Sequence, residues 1–172
     1  MGNLENVDWS RWSVILLKPD CIRRGLTNEL LNWCSQLVAI VDRRIVIPTE
    51  DQVFAHYDDM LPLSDQLGRD VAAELRRIFI GNRVGIALGY GQDAAPRLRR
   101  IVGPTDPASA AATTVRGRYA KDTLDKAIAD GRLVDNLIHT SDTTDVVERD
   151  FHIWYGPEHA HLLRAPIQGG TR

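Results

Sequence analysis

The chain has 172 residues, 44% of them hydrophobic, with 21 Lys plus Arg against 23 Asp plus Glu for a formal net charge of −2. That length builds one sizeable core, whereas two domains would each be small. A near-neutral total excludes the broad basic surface that nucleic-acid or anionic-membrane binding needs, and leaves room for a local anion site.

The N-terminus, MGNLENVDWSRW, lacks the apolar stretch of a signal peptide, and Asn6 stands where a myristoylation motif wants Ser or Thr. Trp12-Ser13-Val14-Ile15-Leu16-Leu17 reads as a buried strand ended by Lys18-Pro19-Asp20, since proline supplies no ladder donor. Leu26, Leu30, Leu31, Trp33 and Leu37 then recur at helical spacing. Residues 38–47 mix β-branched side chains with Asp42, Arg43 and Arg44, as expected of a strand with one wet edge. Thr49-Glu50-Asp51-Gln52 carries the capping-box pattern of a helix start. A further helix is expected over about 69–79, a strand over 84–90, and an arginine-bearing helix after Gly91-Gln92-Asp93. The small residues of 107–114 suit a surface loop or a short helix. Leu124, Ala127 and Ile128 at helical spacing point to an extra helix before Asp130-Gly131. Leu137-Ile138 reads as a short strand, and residues 143–151 as the last helix. This order supports a single α/β (α+β) sandwich, and a ferredoxin-like split βαβ arrangement also produces it. Cys21 and Cys34 are too few for a secreted disulfide framework and no apolar run is long enough to span a bilayer, so the chain reads as soluble and cytoplasmic.

Three stretches carry more chemistry than a core requires. Lys18 at a strand end can place a point charge on a phosphate or a ribose hydroxyl, or simply be solvated beside a turn. Arg97, Arg99, Arg100, Arg116 and Arg118, with Asp106 as the one acid among them, read equally as a phosphate cradle and as a solubilising basic face. His139 in Asn136-Leu137-Ile138-His139-Thr140-Ser141-Asp142 can be a nucleophile, a base, a metal ligand or a hydrogen-bonded structural residue. The chain contains no HExxH, CxxC, GxSxG or Walker GxxxxGK[ST] pattern, which sets those enzyme classes aside. His56, His152, His159 and His161 carry no specific signal and are treated as structural or surface residues.

Together these stretches resemble the nucleoside diphosphate kinase family. WSVILLKPDCIRRGL resembles its first strand and KPD turn, VGPTDPASAAATTVRG its G-x-T-[ND]-P…G-T-[IV]-R-G segment, NLIHTSDT its phosphohistidine motif, and ERDFHIWYGPEH its close. The resemblance covers residues 12–159, nearly the whole chain. It implies a ferredoxin-like fold, with a four-stranded antiparallel sheet covered by helices. It also implies transfer of a γ-phosphate between nucleotides through a phosphohistidine at His139. Lys18, Arg99, Thr105 and Arg116 match the residues that hold phosphates and ribose, Asn136 the residue on the sugar, and Tyr57 the tyrosine beside the histidine. Mg²⁺ is expected to arrive on nucleotide phosphates, with no direct protein ligand, and the assembly to be a homo-oligomer, whether hexamer, tetramer or dimer. The glutamate that orients the imidazole falls at Asp150, one methylene shorter; Ser141 can share that task, and Glu148 competes if the register shifts. The family's stacking phenylalanine is missing from Met60-Leu61-Pro62-Leu63-Ser64-Asp65-Gln66-Leu67, with Leu61, Leu63 and Leu67 as substitutes. The expected organisation is an N-terminal extension over 1–11, the kinase-like domain over 12–160 with an enlarged loop at 118–135, and a tail over 161–172. Two other readings remain: a kinase narrowed to an unusual nucleotide, and a nucleotide-binding module with little catalysis.

Overall fold

The computed structural model describes residue 4 and residues 6–166. Strand β1 (Trp12–Leu17) is buried at every position. It lies inside the sheet, between β3 (Val84–Tyr90) and β4 (Ile138–Thr140), while β2 (Ala39–Val46) pairs with the far side of β3. The order is β2-β3-β1-β4 and every pairing is antiparallel. A strand covered on both faces reads as a continuous apolar run, and only the edge strand β2 carries the charged Asp42, Arg43 and Arg44.

Helices cover both faces of this sheet. On one, Trp12, Val14 and Leu16 pack with α3 (Glu50–His56), α5 (Val71–Phe79) and α9 (Val147–Trp154). On the other, Ile15 and Leu17 pack with α2 (Thr27–Ser35) and α6 (Ala94–Val102). The capping box is present: Gln52 N–H donates to Thr49 Oγ1 at 3.2 Å, and Thr49 N–H to Gln52 Oε1 at 3.1 Å. The expected last helix begins as a 3₁₀ turn at Thr144–Val146 before α9. Short helices α1 (Pro19–Arg23) and α4 (Ser64–Leu67), and a 3₁₀ segment at Pro157–Leu162, carry too little periodicity to be seen in sequence.

After α7 (Val115–Tyr119) the segment leading to β4 forms α8 (Leu124–Ala129). It is pinned rather than loose. Arg132 donates to both oxygens of Asp122, at 2.5 and 2.8 Å, and Asp122 also accepts from Asp135 N–H at 2.9 Å. Asp106 accepts from Leu124 N–H at 3.0 Å and Glu74 from Leu133 N–H at 3.1 Å. Residues 9–11 form a 3₁₀ turn, and Trp9 packs on Phe151 with ring centroids 5.9 Å apart. Among the described residues, no helix is long and apolar enough to cross a membrane.

Candidate active site

The register of β4 sets the site. His139 lies opposite Leu16 of β1, so both side chains share the sheet face covered by α3, α5 and α9. Ile138 and Thr140, on either side of it, are buried away from that face. Just before β4 the chain makes a strained three-residue turn. Leu137 has φ +70° and Ile138 N–H donates to Asn136 O at 2.8 Å. A leucine holds this conformation because the KPD segment grips its peptide groups. Lys18 N–H donates to Leu137 O at 2.8 Å, and Asp20 Oδ2 accepts from Leu137 N–H at 3.0 Å. The two motifs, far apart in sequence, thereby build one turn that presents Asn136 and His139.

Three cations surround that turn. Lys18, 7% exposed, donates from Nζ to Val134 O and Asn136 Oδ1, both at 3.0 Å. Arg116, 2% exposed, donates to Asn136 O at 3.3 Å, Gly103 O at 2.9 Å and Ile138 O at 2.7 Å. Arg99 pairs with Asp142 at 3.0 Å and also reaches Gly103 O at 3.4 Å. All of the hydrogen-bond partners of Arg116 among the described residues are neutral carbonyls, so its buried charge has no carboxylate in contact. Burial, followed by repulsion from Arg99, pushes this guanidinium down to about 10. A buried cation in that state favours an incoming anion. Burial likewise lowers the Lys18 ammonium from its ordinary range, with Asp20 opposing.

The sequence candidates Lys18, Tyr57, Arg99, Thr105, Arg116, Asn136, His139 and Asp150 all line one cavity of about 590 Å³. Asn136 Nδ2 donates to Thr105 O at 2.9 Å, which ties the arginine-rich segment to the histidine turn. The arginine-rich segment therefore divides: Arg99 and Arg116 line the cavity, and Arg97, Arg100 and Arg118 do not. Ser141 is also outside. Its Oγ accepts from Val14 N–H at 3.2 Å and extends the β1–β4 ladder. Glu148 is exposed and stands 3.9 Å from His152, away from the cavity.

Burial holds the His139 imidazole well below its ordinary range, and the positive charges of Arg116, Arg99 and Lys18 add to that shift. The ring is therefore neutral at physiological pH and has a free lone pair. Asp150 does not reach it. Among the described residues, the imidazole that Asp150 approaches is His56, with Oδ1 at 3.6 Å from Nδ1. That Oδ1 is buried and has no hydrogen-bond partner.

Sequence reasoning missed one feature and saw a second only in part. His56 is 5% exposed and packs against His139, and a lone histidine in a helical stretch gave no signal of it. The second is an aliphatic wall. Met60, Leu63 and Leu67, from the stretch that ends in α4, line the cavity along with Leu124 and Ile128 of α8. Of the three leucines offered as substitutes for an aromatic, Leu63 and Leu67 lie there, while Leu61 packs into the core.

Among the described residues, no group of three or more His, Cys, Asp or Glu side chains could hold a metal ion. The donor set suits an ion carried in on substrate oxygens, near the cavity carboxylates Asp59 and Asp142.

The chain is similar to known proteins of one family. The family model described as nucleoside diphosphate kinase matches residues 12–160. A nucleoside diphosphate kinase of Pyrobaculum aerophilum is 27% identical over 174 aligned residues, covering 85% of this chain and 95% of that protein. One from Streptomyces coelicolor is 30% identical, covering 83% and 94%. The solved structure of the P. aerophilum kinase superposes with a TM-score of 0.69 at 26% identity, covering 87% of this chain and 98% of that one. In fold alone, a nucleoside diphosphate kinase of Borrelia burgdorferi with bound vanadate and ADP reaches a TM-score of 0.77 at 22% identity, covering 86% and 88%.

Proposed function

The chain belongs to the nucleoside diphosphate kinase family, enzymes of nucleotide phosphate transfer, and from this premise we propose that it works by a ping-pong mechanism through a phosphohistidine at His139. The lone pair of an unprotonated His139 nitrogen attacks the γ-phosphorus of a nucleoside triphosphate. The bond from that phosphorus to the bridging oxygen breaks, and its electron pair leaves with the diphosphate. A second nucleoside diphosphate then attacks the phosphorus and takes the phosphoryl group, returning the imidazole. The other ring nitrogen keeps its proton throughout, so the phosphorylated ring carries positive charge. Asp150, whose Oδ1 accepts no hydrogen bond and stands 3.5 Å from Arg149, supplies part of the opposing charge. Arg116, Arg99 and Lys18 hold the phosphate oxygens, Thr105 and Asn136 the phosphate and sugar end, and Tyr57 walls the ring. Mg²⁺, held by phosphate oxygens, neutralises part of their charge when bound.

The observation that carries this reading is the juxtaposition of a neutral, desolvated histidine with a buried arginine whose hydrogen-bond partners are all carbonyl groups. Incubation with γ-labelled Mg-ATP is expected to leave an acid-labile, base-stable phosphate on the protein. That label is expected to move to added nucleoside diphosphate. A wild-type protein that takes no label, or a His139→Ala variant that keeps it, overturns the proposal.

The aliphatic wall favours a second reading, a kinase narrowed toward particular nucleotides, because Met60, Leu63, Leu67, Leu124 and Ile128 offer no aromatic face to a base. Comparable turnover across a panel of nucleoside diphosphates counts against it. We also infer a homo-oligomer, supported by the exposed Ile45 on the edge strand β2 and Ile47 just beyond it. A monomer by light scattering at working concentration refutes that inference.

A further inference from the structure

We propose that His56 is the positioning residue for the His139 nucleophile, holding its ring edge-on within the cavity; this rests on the phosphohistidine reading of His139. Among the described residues, no side chain or backbone group hydrogen-bonds the His139 ring, so packing sets its plane. The close ring is His56, with centroids 4.8 Å apart and planes at 88°, while Tyr57 stands farther off at 6.2 Å and 54°. Perpendicular rings at this separation occupy a favoured arrangement.

His56 is itself held from several sides. It ends α3, whose start is fixed by the Thr49–Gln52 capping box and whose Gln52 Nε2 donates to Ile153 O of α9 at 2.9 Å. Its ring meets Tyr57 at 4.8 Å and 86°, and Trp154 of α9 at 5.4 Å and 70°. The indole Nε1–H of Trp154 donates to His56 Nδ1 at 3.1 Å. An indole nitrogen only donates, so Nδ1 carries no proton and the neutral ring bears its hydrogen on Nε2. This settles the contact with Asp150. At 3.6 Å, and with Nδ1 already occupied by the indole proton, it is not a hydrogen bond. His56 Nε2 is buried without a hydrogen-bond partner among the described residues. The line Trp154 to His56 to His139 thus runs from the rigid α3–α9 packing to the reacting ring. It fixes the attack direction by packing on the His139 ring from within the lining of the same cavity.

The test compares His56→Ala, His56→Phe and wild type. Two readouts serve: the single-turnover rate of His139 phosphorylation from Mg-ATP, and the steady-state KM for the nucleotide. Misplacing a reacting group by about 1 Å costs roughly 100-fold. His56→Ala is therefore expected to slow single turnover by about that factor while KM stays within about twofold. His56→Phe, which keeps a flat ring, is expected to recover most of the loss. Should alanine prevent folding, as judged by thermal unfolding, His56→Leu replaces it, keeping the volume but not the plane. An unchanged single-turnover rate in the folded ring-free variant overturns the proposal. Equal slowing in the Phe and ring-free variants, or a loss confined to KM, overturns it as well. Absence of label on wild type overturns the His139 reading instead, so the two failures are distinguishable.

Discussion

Arg116 is the residue on which most of the site's geometry converges. Its three donors bind carbonyls of Gly103, Asn136 and Ile138, and so bring together the end of α6, the strained turn and β4. One guanidinium thus supports the backbone and leaves its charge uncompensated for an anion. Lysine at this position keeps a charge but has no planar fork for three carbonyls. Arg116→Lys is expected to lower kcat by about 10²–10³, the usual cost of removing one preorganised donor to developing negative charge. Steady-state kinetics, with thermal unfolding alongside, checks this. A kcat within about threefold of wild type would mean that the fork is dispensable in the transition state. Arg116 was legible in sequence through its motif, whereas His56 was not. Nothing in Ala55-His56-Tyr57 announces that Trp154 and His139, far along the chain, will close on that ring.

At the scale of elements, α8 is what most distinguishes this cavity. Its period was readable, since Leu124, Ala127 and Ile128 fall on one helical face, but that face had no visible destination. In the fold Ala127 is fully buried, whereas Leu124 and Ile128 are 39% and 52% exposed and line the same cavity as Leu63 and Leu67. Large apolar side chains left this exposed at a cavity mouth are suited to burial against a ligand. The helix is anchored by the bidentate Arg132–Asp122 pair, and the carboxylate of Asp122 is held well below its ordinary range, chiefly by hydrogen bonding to that arginine. The Leu124→Ser/Ile128→Ser double variant is expected to raise the nucleotide KM by about tenfold, the loss of roughly 1.4 kcal/mol of apolar contact, with kcat little changed. An unchanged KM would place the nucleotide away from α8.

For the molecule as a whole, burial of His139 links its proposed role to stability. The folded state holds His139 below its ordinary value of 6.5, with burial as the main cause. As pH falls below about 6.5, the unfolded chain binds a proton that the folded chain refuses. Protons bound then favour the unfolded state, so this residue makes stability fall with pH from about 6.5 down to its folded value. The stability it contributes is fully present above pH 6.5. His139→Gln is expected to flatten that part of the pH dependence, read as urea midpoints of wild type and variant between neutral and mildly acid pH. Parallel curves for the two proteins would show that the folded ring titrates normally.

The sequence by itself determined the sheet, the main helices and the set of residues proposed to hold phosphate. These depend on local properties: β-branched runs, helical spacing, a capping box, and short motifs in a fixed order. The near-neutral charge of −2 excluded a broad basic surface, but it averaged over three cations gathered at one turn. Only the tertiary structure decided which side chains share that cavity. It left Arg97, Arg100 and Arg118 outside, set Ser141 to the sheet ladder, brought Asp150 to His56 rather than His139, and turned an extra helix into a cavity wall. The physical reason is that such contacts follow from strand register and from helices packing across the sheet. A one-residue change of register in β4 would turn His139 to the opposite face, and no pattern within its own segment reveals which face carries α3 and α9.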